Sequence, residues 1–245
     1  MGDTDKPGRL TVEQAVERHG LWLKGKQAGV RASLAGADLS DVQLKGVHLE
    51  KADLRGANLE RASLADSYLS GADLEGANLR NADMSGVEME GANLRRADLG
   101  KADLYLGSMA TRRSANLKGC NLEEAYIVNA NLYHVNLFRA NLRGAVLEGS
   151  NLAGVILAGA DLSGADLEDA NMKGIDLRGS NLEQADLRGA YLAESNLEGA
   201  SLLGANLEKA SLDGALLKGA DFAGANMDGA SLEGVKDKPP VLWTT

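Results

Sequence analysis

The chain is short of what most compact domains use to fill and lock a core. Aromatic residues make up 4% of its 245 positions, with two Trp, five Tyr and two Phe. A core built around large rings is therefore excluded, and its volume has to come from other side chains. Cys120 is the single cysteine, so no internal disulfide can form. There are three prolines, two of them adjacent at Pro239-Pro240. No apolar run reaches the length that crosses a bilayer, and the opening MGDTDKPGRL has no apolar signal segment. A soluble cytoplasmic protein is the expectation. Basic clusters are missing too. The net charge is −9, which argues against general binding to nucleic-acid phosphates and permits contact with a basic protein surface.

What the chain has in excess is glycine, 30 residues, and a strict period. From Leu34 a large apolar residue recurs at every fifth position as far as Leu104. The series resumes at Leu117 and runs to Leu232. Of 39 such centres, 33 are Leu; the others are Met84, Met89, Ile127, Met172, Phe222 and Met227. Two residues before the centre stands Ala in 28 repeats, one before stands Asp or Asn in 25, and two after stands Gly in 23. A period of five fits neither a helix at 3.6 nor a strand at 2. It fits a chain that turns a corner every five residues. The large and small residues point inward, glycine supplies a positive φ at the corner, and Asp or Asn bonds nearby backbone.

Ala37-Asp38-Leu39, Ala57-Asn58-Leu59 and Ala185-Asp186-Leu187 carry this pattern. It resembles the pentapeptide-repeat family, whose motif is A(D/N)LXX, over about Ala32 to Gly234. The resemblance implies an all-β fold, a right-handed quadrilateral parallel β-helix with four pentapeptides per coil. The centres then make about ten coils, and at the spacing of adjacent strands a rod about 45–50 Å long.

The organisation expected is as follows. Residues 1–10 form a flexible N-terminus and residues 11–31 a helical cap. The first β-helix block spans 32–104, a bulge or loop with a register shift 105–114, the second block 115–234, and a C-terminal tail 235–245. Thr11 with Gln14 matches a capping box. Val12, Ala15, Val16, His19 and Leu23 fall on one helical face, with Trp22 beside it. Such a helix would cover the first coil, because a stack needs its ends blunted. At the other end Val241, Leu242 and Trp243 could cover the last coil or join two copies as a homodimer. The 13 residues from Leu104 to Leu117 are not a multiple of five, so a small loop is expected at one corner. Turn glycine is scarce nearby, where the corner positions are Arg96, Lys101, Leu106, then Gly119, Glu124, Asn129, His134 and Arg139, and turns of another type are expected there.

With residues 20 apart stacked, Glu148, Asp166, Glu168, Asp186, Glu208 and Asp228 share one face, with Arg188 among them and Asp169 at the corner. This is either an acidic stripe imitating a nucleic-acid backbone for a DNA-binding partner, or a solvated face whose aspartates serve their corners. Just after the break the outward positions turn apolar. Tyr126, Val128 and Val146 share a face, and Tyr133 and Phe138 are expected on the neighbouring sides. With Met109, Arg112 and Arg113 they form a contact patch, or they pack under the loop.

Met109-Ala110-Thr111-Arg112 is similar to the TTR-containing loop of the quinolone-resistance branch of the family, and Ala125 to Leu132 to the segment after that loop. The resemblance implies a DNA mimic that binds a type II topoisomerase. Thr111, Arg112 and Arg113 would touch the enzyme, and the carboxylate face would fill its DNA saddle. The chain departs from that branch in having Leu centres, one break and a short Pro-containing tail. A structural or adaptor rod for another bacterial complex is the alternative. His19, His48 and His134 have no metal-ligand spacing, Cys120 takes a small inward position, and neither cofactor nor catalytic pair is expected.

Overall fold

A computed structural model describes residues 11–105 and 113–237. It opens with helix α1, Val12–Leu23, whose N-cap Thr11 accepts from the Gln14 amide while the Gln14 side chain accepts from the Thr11 amide. Ala15 and His19 are buried and Val12 and Val16 partly so, while Leu23 is exposed, so the apolar face is narrower than its spacing suggests. His19 does the joining. Its Nδ1 accepts from Ala32 N–H at 2.9 Å, which leaves Nε2 to donate to the Glu50 carbonyl at 3.0 Å. The cap thereby pairs a backbone donor and acceptor at the edge of the first coil.

From Ser33 the chain winds as a four-walled solenoid. Every bridge is parallel, and away from the break each joins residues 20 apart, as in Ser33 to Asp53, Asp38 to Asn58, Gln43 to Ser63 and His48 to Tyr68. These four series define the first, second, third and fourth walls in chain order. Each side contributes one bridging residue rather than a continuous strand, because a five-residue side spends two residues on its turn. The stack holds ten levels on the second wall, from Asp38 to Asn226.

The motif follows from accounting for five backbone donors in each repeat. Around Leu54, Ala57 N–H closes the turn to the Leu54 carbonyl at 3.0 Å. Asp53 N–H reaches back to Ala32 at 3.0 Å, while Leu54 and Gly56 N–H reach forward to Asp73 at 2.7 Å and Glu75 at 2.8 Å. The fifth, Arg55 N–H, donates to Asp53 Oδ1 at 3.3 Å. Asp or Asn before the centre is thus the acceptor for the one amide the coils leave over. Asparagines add a second service. Asn93 donates to Asp73, Asn121 to Asn93 and Asn141 to Asn121, a ladder along the first wall headed by an acceptor-only carboxylate.

The centres fill the tube, with Leu39, Leu49 and most others fully buried, and Ala or Ser packs between them. Ser67, Ser180 and Ser195 each donate to a corner carbonyl three residues back, so their hydroxyls are satisfied. Every described corner has a left-handed third residue. φ is 58° at Arg96, 59° at Lys101 and His134, 56° at Glu124, and 55° at Asn129 and Arg139, against 61–73° at the corner glycines. The expected change of turn type near the break is not present. The coil geometry imposes the conformation, and non-glycine residues adopt it at a cost of about 1–2 kcal/mol each.

Across the break the bridge spacing rises from 20 to 28, as in Asp98 to Tyr126 and Glu88 to Asn116, so eight residues are inserted. They leave between Asp103 of the third wall and Asn116 of the fourth, and the walls continue in register beyond them.

Candidate protein-binding surface

The second wall carries the acidic residues singled out above. Its outward positions after the break read Tyr126 and Val128, Val146 and Glu148, Asp166 and Glu168, Asp186 and Arg188, then Glu208 and Asp228, with Asp169 at the edge. Asp166 Oδ1 accepts Glu168 N–H at 3.0 Å and Asp186 Oδ1 accepts Arg188 N–H at 3.1 Å, so both aspartates serve the repeat's fifth donor. Arg188 bridges Glu168 at 2.6 Å and Asp186 at 2.7 Å. Its guanidinium, through the hydrogen bond first, holds the Asp186 carboxyl below the usual range. Lys209 meets Glu208 at 2.7 Å and lowers that carboxyl likewise. Carboxylate oxygens of Asp166, Glu168 and Asp186 lie within 4.8 Å of one another, but Arg188 already neutralises two of the three. Glu148 and Asp228 are exposed and make no ion pair among the described residues. Beyond the break the wall is acidic with one internal cation, Arg188, not an unbroken line of charge.

The apolar patch divides. Tyr126 and Val128 stand on the second wall with Val146, and Tyr126 is 53% exposed. Tyr133 stands on the third wall, edge-on to Tyr105 at 5.2 Å and to His134 at 4.1 Å. Phe138 stands on the fourth wall under the Arg139 guanidinium, so it faces away from Tyr126 and is not on a neighbouring side. The reason is arithmetic: Phe138 sits two repeats after Val128, and two corners reverse the direction. A shallow recess of about 300 Å³ lies among Tyr105, Asn131, Tyr133 and Asn151, where Asn131 and Asn151 belong to an intact ladder.

Met109, Thr111 and Arg112 lie outside the described residues, as do 1–10 and 238–245, which include Val241, Leu242 and Trp243. Arg113 is placed, and it points back along the rod. It pairs with Glu88 at 3.1 Å, donates to the Gly86 carbonyl at 2.9 Å and covers the Tyr68 ring at 5.1 Å. Tyr68 in turn stacks on His48 at 4.5 Å. Arg113 therefore fastens the returning chain to the first block. No periodic signal could have announced this, since its partners are 25 to 47 residues away. Cys120 is buried, donates to the Met89 carbonyl at 2.8 Å, and burial pushes its thiol up to about 12, which makes it inert core.

Tyr126 and Val146 occupy the position where Asp or Asn normally accepts the fifth amide. Val128 and Glu148 N–H accordingly have no partner among the described residues.

The pentapeptide-repeat profile matches over residues 30–66, 62–100, 113–144, 136–174, 170–207 and 200–236, in 8 copies. The chain belongs to the pentapeptide-repeat family. It is similar to HetL from the cyanobacterium Nostoc sp. strain PCC 7120, a pentapeptide repeat protein involved in heterocyst differentiation regulation. That similarity is 33% identity over 91% of this chain and 95% of HetL, with a TM-score of 0.80. QnrB1, a plasmid-mediated fluoroquinolone resistance protein, shares the fold at 20% identity over 77% of this chain and 90% of its own, with a TM-score of 0.63. These likenesses define a right-handed β-helical solenoid. Proteins of the family are generally non-catalytic. No curated protein matches the chain. Among the described residues no helix is long and apolar enough to cross a membrane.

Proposed function

We propose that the chain is a non-catalytic regulatory rod that acts by binding another protein in the cytoplasm through its second wall. The observation that carries this is segregation. Glu148, Asp166, Glu168, Asp186, Glu208 and Asp228 share one wall with a single Arg188 among them, whereas outward charges on the first wall are mixed in sign from Asp53 to Arg143, Arg95 pairing with Glu75 at 3.2 Å and Glu123 at 3.4 Å, and only Asp161, Glu183 and Asp221 follow. A wall that only needed solubility would be expected to mix its charges in the same way. The likeness to HetL, involved in regulating a differentiation programme, supports a regulatory role.

The test is affinity capture from host lysate with three full chains: wild type, a second-wall variant carrying Glu148→Lys, Asp166→Lys and Asp228→Lys, and a first-wall control carrying Glu183→Lys. The expected result is a partner lost only with the second-wall variant. The same proteins captured by all three, or none by any, would refute it.

The acidic wall also favours a second reading, in which it stands in for a nucleic-acid backbone in the DNA saddle of a type II topoisomerase. Supercoiling by DNA gyrase, measured with and without a quinolone, tests it. Unchanged supercoiling and unchanged drug sensitivity at micromolar chain would remove this reading.

A further inference from the structure

Resting on the second wall as the binding face, we infer that Tyr126, Val128 and Val146 form an apolar seat for a basic segment of a partner protein, anchored there by an aliphatic or aromatic side chain. Three independent observations meet at this spot. The first is exposure: Tyr126 stands 53% exposed on a flat wall, with Val146 in the next coil directly bridged to it. The second is an interrupted ladder. On this wall Asn58 donates to Asp38 and Asn78 to Asn58, and the series ends at Asp98; Tyr126 and Val146 replace the next two members. The rod forgoes two asparagine services there, and Val128 and Glu148 N–H are left as outward donors without a partner among the described residues. An open amide beside an apolar surface matches the carbonyl and side chain of an extended peptide. The third is charge. Beyond the seat come Glu148 and Asp166, neither in an ion pair among the described residues, at the spacing of successive coils, about 4.8 Å. In the other direction Asp98 is already paired with Arg80 at 3.1 Å. The carboxylates available to a cation therefore lie on one side of the seat, which gives the bound segment a direction: its anchor at Tyr126 and its Lys or Arg residues toward Asp166.

The structure supplies an unusual control. Tyr126→Asn and Val146→Asn would restore the ladder to Asp98 and the acceptors for Val128 and Glu148 N–H, so loss of binding would come without loss of fold. The experiment is fluorescence anisotropy with the full chain and three labelled peptides of equal length: alternating Leu and Lys, all Lys, and alternating Leu and Glu. The Leu/Lys peptide is expected to bind at least about tenfold more tightly than either reference. The double asparagine variant should weaken it about tenfold while its melting temperature holds or rises. Glu148→Gln with Asp166→Asn, which keeps the backbone acceptor at 166, should weaken it too. The matched first-wall pair, Glu183→Gln with Asp161→Asn, should not.

Equal binding of the all-Lys peptide, unchanged affinity in the double asparagine variant, an equal loss in the first-wall pair, or no binding at all would overturn the seat. The broader reading fails separately. If the asparagine variant keeps both peptide and captured partner while second-wall charge reversal loses them, the seat is wrong and the wall stands. If charge reversal leaves capture unchanged, the wall itself is wrong.

Discussion

The two blocks of the rod, before and after the eight-residue insertion, share one interior and differ in what they show to solvent. Residues 11–105 carry 12 basic against 15 acidic side chains, and residues 113–237 carry 10 against 18. Non-glycine corners such as Asp41, Lys51, Arg61 and Asn81 are frequent in the first block, and Arg61 grips Asp41 across one coil at 2.7 Å. In the second block most corners are glycine, and bulky groups occupy asparagine positions at Tyr126, Val146, Ile156, Tyr191 and Leu216. What this teaches is a division of labour within five residues. The two inward positions and the corner backbone hold the coil. The residue before the centre serves one amide and one ladder, and can be given up. The residue after the centre is free. Surface variation therefore accumulates without moving the walls.

If the interior is the same throughout, core truncation should not distinguish the blocks. Leu59→Ala and Leu147→Ala each remove a fully buried centre from the second wall, one on either side of the insertion. Each is expected to cost about 2–5 kcal/mol in chemical denaturation, the ordinary range for such a cavity. A difference larger than that range would mean the two blocks do not form one continuous core.

Corners should respond less, and with opposite sign in the two directions. Gly174 has φ +63° and open space where a Cβ would go, so Gly174→Ala meets no clash and is expected to cost about 1 kcal/mol from conformation alone. Lys51 holds φ 61° with a side chain, and Lys51→Gly is expected to stabilise by about 0.5 kcal/mol once glycine's extra chain entropy is set against the relieved strain. Denaturation midpoints that moved the same way for both would break the claim that corner conformation is imposed by the coil.

Much of this was legible in the sequence because a period of five leaves little freedom. The inward residues, the helix cap at Thr11 and the common wall of Glu148 through Asp228 follow from counting. What escaped did so for definable reasons. The reading of Phe138 on a side neighbouring Tyr126 overlooks the two repeats that separate it from Val128, and opposite walls result. Scarce glycine near the break suggested different turns, yet backbone closure, not residue preference, sets φ at His134 and Arg139. The sequence reading puts Arg113 in a contact patch with Met109 and Arg112; its contacts with Glu88, Gly86 and Tyr68 are long-range and aperiodic. The amides of Val128 and Glu148, without a partner among the described residues, follow from the donors of the repeat and not from residue type.

The finest separation of the two blocks should come from pH. Burial holds the His19 imidazole below its ordinary value of 6.5, and that burial is greater in effect than the favourable Glu50 carbonyl. The unfolded chain therefore binds more protons than the folded one in the range between the two values. The stability His19 confers is complete above about 6.5 and is lost as pH falls through that value toward the lower, folded one. Protonation would also place a donor where Nδ1 must accept from Ala32. Because coils contact only their neighbours, the effect should stay local. Hydrogen exchange, corrected for its intrinsic pH dependence, should show protection falling at Ala32 and through the first coil on acidification. Amides around Leu187, in the second block, should keep theirs. His19→Gln, whose amide can still accept and donate, should abolish the response. A loss of protection spread evenly along the rod, or one that persisted in His19→Gln, would show that the cap does not act through this imidazole and that the first coil is no more separable than the rest.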